Sequence, residues 1–89
     1  MRRAVINVTG RVQGVFFRHS ARIHAAEFGL TGWARNEENG SVTITAEGEG
    51  IALEQFIAWC RKGPPLAKVD DLGVSWAEAT GEFKKFEIL

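Results

Sequence analysis

Gly10-Arg11-Val12-Gln13-Gly14-Val15-Phe16-Phe17-Arg18 is where the chain changes its apolar period. Before it, residues 3–12 alternate, with Ala4, Ile6 and Val8 on one face and Asn7, Thr9 and Arg11 on the other, the pattern of a half-buried strand. After it, Phe17, Ala21, Ala25 and Phe28 fall on one helical stripe, and Gly29 offers a C-terminal cap. A strand that passes through a glycine turn into a helix leaves the first helical amides without intrahelical acceptors, and the helix dipole places partial positive charge there. Arg18 adds a planar, permanently charged, bidentate donor at the same point. Gly14 allows positive φ and close backbone approach, so the backbone amides of Gln13, Gly14, Val15, Phe16, Phe17 and Arg18 can converge on one anion. On spacing alone, a plain β-to-α connection with a surface arginine accounts for these residues equally well.

Outward from this segment the pattern continues. Leu30 to Glu37 reads as a second strand, Glu38-Asn39-Gly40 as a turn with Asn-Gly as its hairpin dipeptide, and Ser41 to Glu47 as a third strand. In that third strand Val42, Ile44 and Ala46 face inward, and Ser41, Thr43, Thr45 and Glu47 outward. Leu53, Phe56, Ile57 and Cys60 form the stripe of a second helix, which Gly63-Pro64-Pro65 stops. Leu72, Val74 and Trp76 alternate in a fourth strand; after Gly81, Phe86 and Ile88 mark a short fifth. The order β-α-β-β-α-β, with this short addition, predicts an α+β ferredoxin-like two-layer sandwich with a mostly antiparallel sheet.

The composition narrows the function. Residues 1–89 are the length of one domain, with 45% hydrophobic and 25% charged residues. Eleven acidic and eleven basic side chains cancel, against the basic excess of a generic polyanion binder. Cys60 is the only cysteine, so no internal disulfide forms, which fits a reducing compartment. The N-terminal apolar run is broken at Asn7, too short for a signal segment, and no stretch has the length of a membrane span. These features predict a cytoplasmic protein with no membrane partner, and a neutral chain of this size reads as a monomer.

A second constellation is Gly32-Trp33-Ala34-Arg35-Asn36, followed by Gly40, Val42 and Gly48. A carboxamide at Asn36 can accept from and donate to a water, although asparagine beside a hairpin commonly satisfies its own turn backbone. Together the two segments resemble the signature stretches of the acylphosphatase family: Gly-x-Val-Gln-Gly-Val-x-Phe-Arg, here Gly10, Val12, Gln13, Gly14, Val15, Phe17 and Arg18, and Gly-Trp-Ala-Arg-Asn-x-x-x-Gly-x-Val with a glycine six residues on, here Gly32 to Asn36, Gly40, Val42 and Gly48. Neither stretch departs from the pattern, and the resemblance covers essentially the whole chain. It implies hydrolysis of the carboxyl–phosphoryl anhydride of acyl phosphates to a carboxylate and inorganic phosphate. It also implies that Arg18 binds the phosphoryl group with the loop amides, that Asn36 positions the attacking water, and that no metal or organic cofactor takes part. Related domains begin larger carbamoyl-transfer proteins of hydrogenase maturation; a chain ending at Leu89 reads as a free-standing hydrolase, with inorganic phosphate as product and inhibitor.

Those roles make chemical sense. Phosphoryl transfer asks mainly for positioning and for stabilised charge on the equatorial oxygens. A carboxylate is a weak base and leaves without a general acid, so a site without paired carboxylates is adequate.

Other residues read more simply. His19 follows Arg18 directly and is expected to point away from the anion; His24 is expected at the edge of the helical stripe. No Cys/His cluster has ligand spacing, so no metal site is expected. Cys60, Trp33, Trp59 and Trp76 read as packing residues, with Trp33 near enough to Asn36 to flank the site. Adjacent Asp70 and Asp71 point to opposite faces of a strand. Gly48-Glu49-Gly50 lacks the third glycine of a dinucleotide loop. The rival reading is a non-enzymatic phosphate- or RNA-binding ferredoxin-like module. RNA recognition on an open sheet uses stacked aromatics, and none falls among Asn7, Thr9, Thr43 and Thr45, so no nucleic-acid partner is expected.

Overall fold

The computed structural model describes residues 1–89. Its elements are β1 (Arg2–Arg11), α1 (Phe17–Glu27), β2 (Thr31–Asn36), β3 (Val42–Gly48), α2 (Gly50–Lys62), β4 (Lys68–Glu78) and β5 (Phe86–Ile88). The five strands form one sheet in the order β4-β1-β3-β2-β5. All neighbours pair antiparallel except β2 and β5, which run parallel. Both helices lie on one face, as expected for the α+β ferredoxin-like sandwich.

The alternating strands explain which face they choose. Ala4, Ile6 and Val8 of β1 stand opposite Ala46, Ile44 and Val42 of β3, and Ala34 of β2 stands opposite Ile44. All seven are fully buried beneath Phe17, Ala21 and Ala25 of α1 and Leu53, Phe56 and Cys60 of α2. Phe17 and Phe56 both pack against Trp59, with ring centroids 5.4 and 6.0 Å away. Truncating a side chain such as Phe56, which has no exposed surface, costs about 3–5 kcal/mol in cores of this kind. Gly32 has φ 142, and a Cβ there would lie 1.8 Å from the Thr45 carbonyl oxygen, so β2 packs at this distance only with glycine.

Burial departs from expectation in two places, one on each face of the sheet. Thr45 and Glu47 lie on the open face as predicted but are only 4% and 3% exposed. The segment joining β4 to β5 crosses the sheet from one edge to the other and covers Glu47. There the carboxylate accepts from Arg3 Nε (2.7 Å), Thr80 N–H (2.9 Å) and Gly81 N–H (3.1 Å). Burial alone would raise the Glu47 carboxyl; these bonds together outweigh it and hold the group below its ordinary value. Trp76, expected to pack inside, is 38% exposed because β4 is an edge strand, and Arg2 lies 4.3 Å over its ring.

Candidate active site

At the opposite end of the central strands, the turn between β1 and α1 bends through Gly14 at φ 73 and Phe16 at φ 65. Phe16 is the only non-glycine residue with positive φ, and a bulky residue there is strained. Positive φ on both sides of Val15 turns successive N–H groups inward, the geometry of an anion-binding concavity. No side chain caps α1, and its first turn contains no acidic residue. The first amide of the helix to find a backbone acceptor is that of Ser20, which bonds to the Phe16 carbonyl at 3.0 Å. The amides from Gly14 to His19 have no backbone acceptor, and an open recess lies beside this turn.

That recess has a volume of about 290 Å³, and Gly14, Phe16, Phe17, Arg18 and Asn36 line it along with Val12, His19 and Ile88. Of the sequence-derived site residues, Gln13 and Val15 do not line it. The Val15 side chain is buried in the core, and the Gln13 carboxamide turns toward the β2–β3 hairpin. Arg18 extends across the recess, where its Nη1 donates to the Leu89 carbonyl at 2.9 Å. One of its five N–H donors is thereby spent on orientation, and the others are free for an anion.

Asn36 reaches the recess from β2. It shares the helix-side face with Gly32 and Ala34, because residues two and four apart on a strand point the same way. Its Oδ1 is the only buried side-chain nitrogen or oxygen in the protein without a hydrogen-bond partner. Such an orphan costs about 1–3 kcal/mol and calls for an explanation. The ordinary use of a hairpin asparagine falls instead to Asn39, whose Oδ1 accepts from the Ser41 amide (3.0 Å) and hydroxyl (2.6 Å). Asn36 is therefore free to bind something that is not protein.

His19 is among the residues that border the recess, and its ring Nδ1 lies 3.5 Å from Arg22 Nη2. One sequence expectation needs correction here. Trp33 does not flank the site: it is three residues from Asn36, an odd step on a strand, and so lies on the open face under the Arg35 guanidinium, 4.7 Å from the ring centroid. His24 stacks on Trp59 (4.4 Å between centroids) and approaches Glu27 at 3.3 Å, as its place at the stripe edge predicts. Four wider depressions, of about 300 to 580 Å³, lie elsewhere on the surface. None of the four contains the orphaned Asn36 oxygen, so size alone does not mark the site.

The molecule is thus an α+β sandwich with a recess, lined by Arg18 and Asn36, between the N-terminus of α1 and the end of β2. The acylphosphatase family model matches residues 4–88. An acylphosphatase of Methylococcus capsulatus is 49% identical over the whole of this chain and 97% of its own length. The crystal structure of acylphosphatase from Bacillus subtilis superposes with a TM-score of 0.96 at 37% identity, covering 100% of this chain and 99% of that one. Full-length HypF, in its phosphate- and nucleotide-bound form, gives a TM-score of 0.90 at 32% identity, covering 99% of this chain but 12% of that one. The chain belongs to the acylphosphatase family, hydrolases that act on the acid anhydride of acyl phosphates. No helix is long and apolar enough to cross a membrane.

Proposed function

We propose that Arg18 and the backbone amides of Gln13 to Arg18 hold the phosphoryl group of an acyl phosphate, and that Asn36 positions the water that attacks it in line. The single observation that carries this reading is the orphaned Asn36 Oδ1 beside the Arg18 guanidinium in one recess. The amides and Arg18 complement charge on the equatorial oxygens, and because they are held before substrate arrives they need little reorganisation. Asn36 Oδ1 accepts a hydrogen bond from the water and so aims an oxygen lone pair at phosphorus. A carboxamide is no base, so its contribution is orientation. The carboxylate departs without protonation. His19 stands at the border with Nδ1 3.5 Å from Arg22 Nη2, and has no assigned part in the cycle.

The substrate is a small molecule, and inorganic phosphate, which offers the same three oxygens, competes for the recess. The zero formal net charge supports this over a polyanionic partner. The Trp33–Arg35 stack puts an aromatic on the open face, half-buried under an arginine, and Phe83 of the β4–β5 connection is likewise covered by Arg3, so neither ring is a free stacking platform. Tight, salt-sensitive binding of single-stranded RNA would favour that second reading. The decisive test is incubation of the pure protein with benzoyl phosphate in EDTA. Anhydride loss at enzymatic rates, inhibited competitively by phosphate, is the expected result. Activity lost in EDTA and restored by added metal would overturn the metal-free mechanism.

A further inference from the structure

The Gln13 side chain faces away from the recess, yet its carboxamide is tightly held. Its Nε2 donates to the Glu37 carbonyl at 2.7 Å and to the Ser41 carbonyl at 3.0 Å, using both N–H groups of one nitrogen. Those carbonyls belong to the two sides of the hairpin mouth, where the Glu37 N–H also donates to Ser41 O at 2.8 Å. Glu37 follows Asn36 directly, and Asn36 pairs with Val42 just after Ser41. On its own backbone, Gln13 immediately precedes Gly14 and the left-handed turn that gathers the amides. A single side chain thus joins the anion loop to the hairpin carrying Asn36. Among the side-chain hydrogen bonds, only those of Gln13 cross between these two segments.

We propose that Gln13 is a positioning residue that sets the distance between the phosphoryl cradle and the Asn36 carboxamide. The inference rests on the water-positioning role of Asn36 given above. Its logic is geometric. Arg18 and the loop amides hold their places through β1 and α1, whereas Asn36 sits at the last residue of β2, beside a turn. An end residue of a strand drifts unless something fixes it, and an attacking atom displaced by about 1 Å loses on the order of 10²-fold in rate. Removing the Gln13 amide unties the hairpin mouth from the anion loop and leaves two carbonyls without their second donor. Phosphate continues to find its amides and arginine.

The test measures kcat with benzoyl phosphate and the inhibition constant of inorganic phosphate for Gln13→Ala, Gln13→Glu, Asn36→Ala and the Gln13→Ala/Asn36→Ala double variant, with folding checked by denaturant midpoint. Gln13→Glu keeps the shape of the side chain but loses both donors, and supplies the measurement if Gln13→Ala fails to fold. The expected result is a fall of about 10–100-fold in kcat for either variant, the range typical of residues that orient a functional group, with the phosphate constant changed less than about twofold. Because Gln13 acts through Asn36, adding Gln13→Ala to Asn36→Ala should lower the residual rate little further. The proposal is overturned if kcat stays near wild type, if phosphate affinity falls in step with kcat, or if the two losses multiply. A large kcat loss in Asn36→Ala with multiplied losses removes only the Gln13 inference. An unchanged kcat in Asn36→Ala removes the water-positioning reading itself.

Discussion

The two ends of the central strands treat polar atoms in opposite ways. At the Glu47 end, a carboxylate that is 3% exposed accepts from Arg3, Thr80 and Gly81, and nothing is left over. At the Asn36 end, a buried oxygen has no partner, a run of amides lacks acceptors, and Phe16 holds a left-handed conformation. The first arrangement binds the chain to itself, fastening the β4–β5 connection across the sheet. The second leaves its polar groups without partners inside the chain. Saturated polar groups mark structure, and unsaturated ones mark the site.

This contrast can be broken by substitution. Arg18→Ala should have the largest effect on rate: losing one preorganised donor costs roughly 10²–10³, and losing a charged one should cost at least that in kcat/KM, with weaker phosphate inhibition. Arg18→Lys should fail nearly as badly, because an ammonium lacks the planar fork. Intact turnover in either variant would remove Arg18 from the site. Next in size, Glu47→Ala should lower unfolding free energy by about 2–3 kcal/mol, since it leaves Arg3 and two amides without their acceptor. A denaturant titration measures this, and kcat of the folded fraction should not change. A variant that kept its stability but lost activity would reverse the roles given to the two ends.

Acid sharpens the same comparison. Hydrogen bonds from Arg3 and Thr80 hold the Glu82 carboxyl below its usual value, and Glu47 is held low by the donors that outweigh its burial. A carboxyl whose folded pKa is depressed stabilises the protein above its unfolded value, about 4.3 for glutamate, and that contribution disappears as pH falls through the folded value. Stability should therefore begin to fall below about pH 4–5, and Glu47→Gln should flatten the decline. A variant with an undiminished acid slope would show that other groups carry it. The smallest effect is expected at Phe16. A left-handed non-glycine residue costs roughly 1–2 kcal/mol, partly offset by the greater chain entropy of glycine. Its ring is 70% exposed, so Phe16→Gly should raise stability by a few tenths of a kcal/mol to about 1 kcal/mol. A loss of stability would mean that the exposed ring contributes packing that its surroundings do not show. Histidine is the control: His24, stacked on Trp59, can become alanine with most activity kept.

Much of this was legible in the order of residues. Period-two alternation in β1 and β3, the stripes of α1 and α2, and the Gly63-Pro64-Pro65 stop depend on neighbours close in the chain; β1, β2 and β3 fall within about a residue of their reading, whereas α2 begins at Gly50 and β4 at Lys68, each ahead of the first apolar residue that marked it. Arg18 and Asn36 stood out through the resemblance of their two motifs, and the structure brings both to one recess. The reading missed what depends on distant residues. Burial of Glu47 needs Thr80 and Gly81, 33 and 34 positions away, to cross over it. The part played by Gln13 needs the carbonyls of Glu37 and Ser41, 24 and 28 positions on.

The sequence by itself determined the elements, the face each one buries, and the pair of segments that carry the chemistry, because side-chain periodicity and turn chemistry are local. Only the tertiary structure decided which polar atoms are satisfied. A hydrogen bond depends on distance and angle between groups that the chain order leaves far apart, so the absence of a partner at Asn36 Oδ1 becomes visible only once every other donor has found its place.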